Sequence, residues 1–168
     1  KNFKNVEAHT LNLDKLFEAF ENSLSKFDSE HGMANSRARL RMTTLYQVAA
    51  TNKGIVVGTG NKVEDFGVGF YTKYGDGGVD ISPIADCNKT EVWEMGRELN
   101  ILKEIIDASP TDGLWDDGRT DEGQLGLKYS ELEEAMNNPN SLNREKYEKI
   151  RKLNLHKMEP IPVCKIPN

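Results

Sequence analysis

Gly58-Thr59-Gly60-Asn61-Lys62-Val63-Glu64, followed by the glycine- and aspartate-rich loop Thr72-Lys73-Tyr74-Gly75-Asp76-Gly77-Gly78-Val79-Asp80, decides the reading of this chain. Immediately before it, Ile55, Val56 and Val57 form a short β-branched run, which predicts a buried strand entering a turn of small residues. Glycines at the carboxyl end of such a strand leave backbone N–H groups open to an anion. An α/β fold that handles phosphates is therefore expected.

Upstream of this stretch, Asn12 or Asp14 is placed to cap a helix that carries Leu16, Phe17, Phe20 and Leu24 on one face and ends near Phe27. A polar break at residues 29–32 separates it from a second helix over about residues 35–52, with Ala38, Met42, Leu45 and Ala49 in one stripe. Three arginines flank that stripe, Arg37 and Arg41 on one side and Arg39 on the other, so they do not all serve one partner. Downstream, residues 80–86 predict a short strand entering a helix capped by Asn88, with Glu91 three residues on and Val92, Met95 and Leu99 facing inward. Residues 109–126 are rich in glycine and acidic side chains with little periodicity and read as a long functional loop. Residues 131–136 and 143–153 read as helices, and the prolines beyond residue 159 predict an extended end.

With 168 residues, 37% of them hydrophobic, the chain has the size of one domain, residues 1–168, and can bury a core. Its 22 basic residues are scattered and outnumbered, giving a net charge of −5, so there is no electrostatic footprint for nucleic acid. Cys87 and Cys164 are too few for a disulfide framework and fit no metal spacing; a reducing compartment, the cytoplasm, is expected. The apolar runs are much shorter than a membrane span, and no signal-peptide core follows Lys1-Asn2-Phe3-Lys4.

Taken in order, Arg37-Ala38-Arg39-Leu40-Arg41-Met42, the two segments quoted above, Lys89-Thr90 after Pro83, Ser109-Pro110-Thr111, Asp121-Glu122 with Leu125-Gly126, and His156-Lys157 resemble the ammonia-dependent NAD synthetases, which belong to the N-type ATP pyrophosphatases. The resemblance implies an α/β, Rossmann-like adenine nucleotide α-hydrolase fold, a parallel sheet flanked by helices. Residues 5–10 would be its third strand and residues 54–60 its fourth. The family's Ser-Gly-Gly-x-Asp-Ser pyrophosphate loop does not occur in these residues, so the chain is expected to be the C-terminal portion of such an enzyme, without the first strands.

The chemistry implied by the resemblance is attack of the nicotinate carboxylate of deamido-NAD on the α-phosphate of ATP, giving an adenylate and pyrophosphate, followed by displacement of AMP by ammonia. Such a reaction asks for cations and in-line geometry more than for a protein nucleophile. ATP and Mg²⁺ are the implied cofactors, deamido-NAD and ammonia the other substrates, and a homodimer through the second helix the implied assembly, with no nucleic acid or membrane partner. By their match to family positions, Thr59, Lys89 and Thr111 would contact ATP, and Arg39, Lys73, Asp80, His156 and Lys157 would contact deamido-NAD. Glu64 would bind the metal, and Asp121 and Glu122 would stand near the reacting centre. One residue more than the family pattern lies between Glu64 and Lys73, around Gly67-Val68-Gly69, which leaves Asp65 as an alternative ligand.

Taken singly, these residues have ordinary readings: Glu64 a solvated turn residue, Lys89 a first-turn residue, Asp121-Glu122 a solvated charge run and His156-Lys157 a surface pair. Trp115 reads as a packing residue, and His9 and His31 as structural or exposed. Two further readings stand beside the first: the synthetase portion of a glutamine-dependent enzyme, and a non-catalytic dinucleotide-binding or dimerisation piece. A related ATP pyrophosphatase acting on another acceptor is disfavoured by the loop from Lys73 to Asp80.

Overall fold

The computed structural model describes residues 3–167, and within them the chain is mostly helical. In order these are α1 (Asp14–Ser23), α2 (Glu30–Thr51), a π-helix (Val63–Val68), α3 (Lys89–Glu98), α4 (Lys103–Ile106), α5 (Asp121–Leu125), α6 (Tyr129–Asn137) and α7 (Arg144–Met158). The polar break expected at residues 29–32 is in fact the start of α2. Ser29 is extended and its hydroxyl accepts from Gly32 N–H at 3.2 Å, so the second helix begins several residues earlier than its apolar stripe. α1 buries Phe17, stacked on Phe20 at 6.4 Å, and stops at Ser23, short of Phe27.

The expected parallel sheet is reduced to one contact. Residues 5–10 form no strand, and residues 54–60 meet residues 80–86 at a single parallel bridge, Val57 to Ile81, with Gly58 N–H donating to Ile81 O at 2.8 Å. A strand needs a neighbour on its hydrogen-bonding edge, and among the described residues this segment has only that one. The expected buried run is corrected accordingly: Val56 is buried, whereas Ile55 and Val57 are 59% and 52% exposed.

The core lies in the C-terminal half. Val63 and Val68 of the π-helix are fully buried among Leu125, Leu127, Tyr129, Leu132, Ala135 and Tyr147, with α6 and α7 packed on the π-helix and on each other. α3 joins this core through Trp93, edge-on to Tyr129 at 6.1 Å; Met95 and Leu99, expected to face inward, are exposed. Asn88 does start the helix as expected, its N–H donating to Glu91 at 2.7 Å.

The π-helix occupies the segment in which the family pattern leaves one residue over. A π-turn closes i to i+5 and so takes up one residue more than an α-turn. At its start the buried Asn61 accepts from Val63 N–H (3.0 Å) and Glu64 N–H (3.1 Å); at its end Gly69 N–H donates back to Glu64 O. Gly69 has φ 65°, and a Cβ there would lie 2.7 Å from Asn154 Cβ, so only glycine fits. α7 satisfies the open carbonyls: Asn154 donates to Val68 O (2.9 Å), and Lys157 donates to Gly69 O and Tyr71 O (both 2.8 Å). The result fixes Glu64 in the first turn, where it meets Lys89 and Tyr129. No helix among the described residues is long and apolar enough to cross a membrane.

Candidate active site

A cleft of about 400 Å³ opens between α2, the turn at residues 57–60, the first turn of the π-helix and residues 111–114. Thr59, Glu64, Lys89, Thr111 and Asp121, far apart in sequence, all line it. A roomier hollow of about 610 Å³, between the N-terminal segment, α1 and α2, is lined by none of the expected site residues. The chemistry-bearing side chains therefore single out the smaller cavity.

Three of the cleft side chains, Glu64, Lys89 and Asp121, meet the buried Tyr129 behind the wall in one network. Glu64 Oε1 accepts from Lys89 Nζ at 3.2 Å and from the Tyr129 hydroxyl at 2.5 Å, while Oε2 faces Asn61 N–H at 3.4 Å. The Tyr129 oxygen also lies 3.2 Å from Asp121 Oδ2, and Lys89 Nζ sits 4.9 Å from the Tyr129 ring centroid. The Lys89 and Glu64 side chains are only 20% and 15% exposed, so this ion pair is shielded from solvent screening. Asp121 is buried, its Oδ1 has no partner, and that burial pushes its carboxyl above the usual range. Burial, reinforced by Glu64, likewise drives the Tyr129 phenol well above its ordinary value, so it stays a neutral donor.

Asp65 borders the same cleft. Its carboxylate lies against the backbone of Gly60, where a Cβ would fall 2.3 Å from Oδ1, so any side chain at position 60 would push the carboxylate aside. Burial first, then the charges of Glu64 and Asp76, raise the Asp65 pKa to about 6. Carboxylates gathered with so few counter-charges suit a hard cation. No group of three or more His, Cys, Asp or Glu side chains among the described residues would enclose a metal alone. A magnesium ion, which ordinarily keeps phosphate and water ligands beside one or two carboxylates, fits that donor set.

The loop over the cleft is tied down by α2. Arg37 donates to Leu114 O at 2.6 Å and Arg41 to Gly113 O at 3.0 Å, while Arg39, on the other side of the helix, donates to Lys73 O at 3.2 Å. The division of the three arginines read from helical spacing is thus what the fold uses. Within the loop, Asp112 Oδ2 accepts from Trp115 (3.2 Å) and Gln124 (3.1 Å), so Trp115 packs within the loop. Thr111 turns its hydroxyl to Arg119 O at 3.1 Å.

The remaining expected residues lie outside the cleft. Lys73 donates to His156 O at 2.5 Å, which links Arg39, Lys73 and His156 into one chain of side-chain-to-backbone bonds. Lys157 borders a separate cavity of about 240 Å³ with Asp65, Tyr71 and Asp76; burial lowers its pKa. Asp80 accepts from Val56 N–H at 2.7 Å, fastening the bridge between the two extended segments. Glu122 is turned from the cleft and accepts from Tyr129 N–H at 2.9 Å, at the start of α6. Sequence reasoning missed Tyr129, although it lies only three residues beyond Gly126, because a tyrosine in a helical stretch reads as packing.

The sequence model of one family, described as NAD synthase, matches residues 2–166. The NH(3)-dependent NAD(+) synthetase of Carboxydothermus hydrogenoformans is 43% identical over 136 residues, 79% of this chain and 55% of that protein. That of Alkaliphilus metalliredigens is 39% identical over 164 residues, 95% of this chain and 64% of that protein. The chain spans about half the length of the first curated relatives it matches (55%, 51% and 50%). Among solved structures, an NMN synthetase from Francisella tularensis superposes with a TM-score of 0.84 at 34% identity, covering 98% of this chain and 68% of that one. An NH3-dependent NAD synthetase from Campylobacter jejuni gives 0.67 at 23% identity, covering 92% of this chain and 64% of that one, a likeness of fold alone.

Proposed function

This chain belongs to the NAD synthase family, and we propose that it carries out the ATP-dependent amidation of deamido-NAD to NAD with ammonia. The observation that supports this most is the cleft in which Thr59, Glu64, Lys89, Thr111 and Asp121 converge. In the proposed reaction a carboxylate oxygen of deamido-NAD attacks the α-phosphorus of ATP, and the bond to pyrophosphate breaks. Ammonia then attacks the activated carbonyl carbon, the bond to AMP breaks and the nitrogen sheds a proton.

The residues suit these steps by what they hold. Lys89, already paired with Glu64, supplies a point charge at the cleft wall for phosphate oxygens, and the Thr59 hydroxyl offers a donor to the nucleotide, while Thr111, which donates to Arg119 O, lines the same wall. Glu64, with Asp65 beside it, would hold magnesium together with the phosphates; the ion supplies charge neutralisation at the phosphate oxygens when bound. Asp121, whose buried carboxyl has a raised affinity for protons, is suited to receive the proton leaving the nitrogen. Arg39, Lys73, Asp80, His156 and Lys157 belong, in this reading, to the dinucleotide's side of the site, and Glu122 orders α6 beneath the reacting centre. A cytoplasmic homodimer completes the proposal.

A second reading is favoured by one observation. The structure similar at TM-score 0.84 is named an NMN synthetase, so the mononucleotide carboxylate is the competing acceptor. The test is product formation from ammonium, ATP and magnesium with either nicotinate mononucleotide or deamido-NAD. Higher kcat/KM for deamido-NAD supports the first reading; higher kcat/KM for the mononucleotide replaces it with the second.

A further inference from the structure

Tyr129 is fully buried, yet its hydroxyl touches two carboxylates from different parts of the chain, Glu64 of the π-helix and Asp121 of α5. A phenol has one proton to give, and the 2.5 Å contact against 3.2 Å assigns it to Glu64 Oε1. Lys89 binds that same oxygen, so both strong donors hold Oε1, and Oε2 has only the long contact to Asn61 N–H at 3.4 Å. The ring is fixed in turn by Trp93, edge-on at 6.1 Å, and by Lys89 over its face.

We propose that Tyr129 is a positioning residue that pins one oxygen of Glu64 and leaves the other, Oε2, to meet a divalent cation. The inference rests on the reading of Glu64 as the metal-binding carboxylate. Partners that orient a metal-binding carboxylate in this way commonly govern metal affinity by about 10- to 100-fold. Tyr129→Phe removes the hydroxyl and keeps the ring with its Trp93 and Lys89 contacts; Trp93→Phe disturbs the packing and leaves the hydroxyl.

The experiment measures manganese(II) binding by electron paramagnetic resonance in the presence of ATP, with thermal melting alongside, for the full chain, Tyr129→Phe, Trp93→Phe and Glu64→Gln. Expected is a manganese affinity lowered about tenfold or more in Tyr129→Phe with a melting temperature close to that of the unsubstituted chain. In Trp93→Phe the melting temperature falls and the affinity is kept. Unchanged affinity in Tyr129→Phe, with loss of binding in Glu64→Gln, overturns the role of Tyr129 and leaves Glu64 as a ligand. Equal affinity in Glu64→Gln and the unsubstituted chain, or no binding by the latter, overturns the metal reading of Glu64 and the inference with it. An equal affinity loss in Trp93→Phe also overturns the inference, because packing alone would then explain it.

Discussion

Replacing Asp65 by Asn tests whether the cleft stores unfavourable charge. The Asp65 carboxyl is raised from 3.8 to about 6 by burial, then by Glu64 and Asp76, with no hydrogen bond to its oxygens among the described residues to offset them. With a folded pKa above the unfolded one, the folded chain holds the extra proton between about pH 4 and pH 6. Stability therefore falls as pH rises through that window, with no penalty below it and the full penalty above it. A shift of roughly two pKa units would correspond to about 3 kcal/mol at a fully buried site, and because solvent reaches part of this carboxyl and screens its neighbours, about 1 to 1.5 kcal/mol is expected at pH 7.5. Asp65→Asn removes the charge without giving up a bond, so it should stabilise the metal-free chain by about 1 to 1.5 kcal/mol at pH 7.5 and by almost nothing at pH 3.5. Read by urea unfolding in EDTA with a slope of about 2 kcal/mol/M, this is a midpoint raised by about 0.5 to 0.75 M at the higher pH only. A variant that is no more stable than the parent at pH 7.5, or whose gain persists at pH 3.5, would refute the charge argument.

Other perturbations separate the core from the site. Leu132→Ala, at a fully buried position of α6 within the core cluster, should cost about 2 to 5 kcal/mol in denaturant unfolding. Arg37→Ala with Arg41→Ala releases the carbonyls of Leu114 and Gly113; amide hydrogen exchange over residues 111–117 should quicken about tenfold while residues 129–136 keep their protection. Lys89→Met removes the cation from Glu64 and from the cleft wall, so the KM for ATP in the proposed reaction should rise about 10- to 100-fold and the melting temperature should fall, because the shielded Glu64 carboxylate loses its counter-charge.

What the sequence discloses about this fold is largely what local rules govern. Asn88 with Glu91, the opposite sides taken by Arg37 with Arg41 and by Arg39, and the helices α6 and α7 all follow from spacing and capping chemistry, which act over a few residues. The π-helix does not, because an apolar pattern read at the α-helical period has no template for a turn of five, and only the surplus residue near Gly67 hinted at it. The run at Ile55 to Val57 promised burial, but a β-branched run specifies an extended backbone and says nothing about which segment covers it. At the site, Glu64, Lys89 and Asp121 were visible by family resemblance, whereas their convergence on the Tyr129 hydroxyl depends on how α6 packs beneath the π-helix, a long-range outcome. Asp80 and Glu122 also have structural work that spacing did not disclose, each accepting from a backbone N–H, of Val56 and of Tyr129.

The proposed amidation makes a demand on a single atom. If a carboxylate oxygen of deamido-NAD attacks the α-phosphorus of ATP, that oxygen must leave with AMP. The decisive measurement supplies the chain with deamido-NAD labelled with oxygen-18 in its carboxylate, together with ATP, magnesium and ammonium, and reads AMP and NAD by mass spectrometry. NAD and AMP are expected in equal amounts with one labelled oxygen in each AMP. Unlabelled AMP beside newly formed NAD, or no formation of either product, would contradict the proposed amidation.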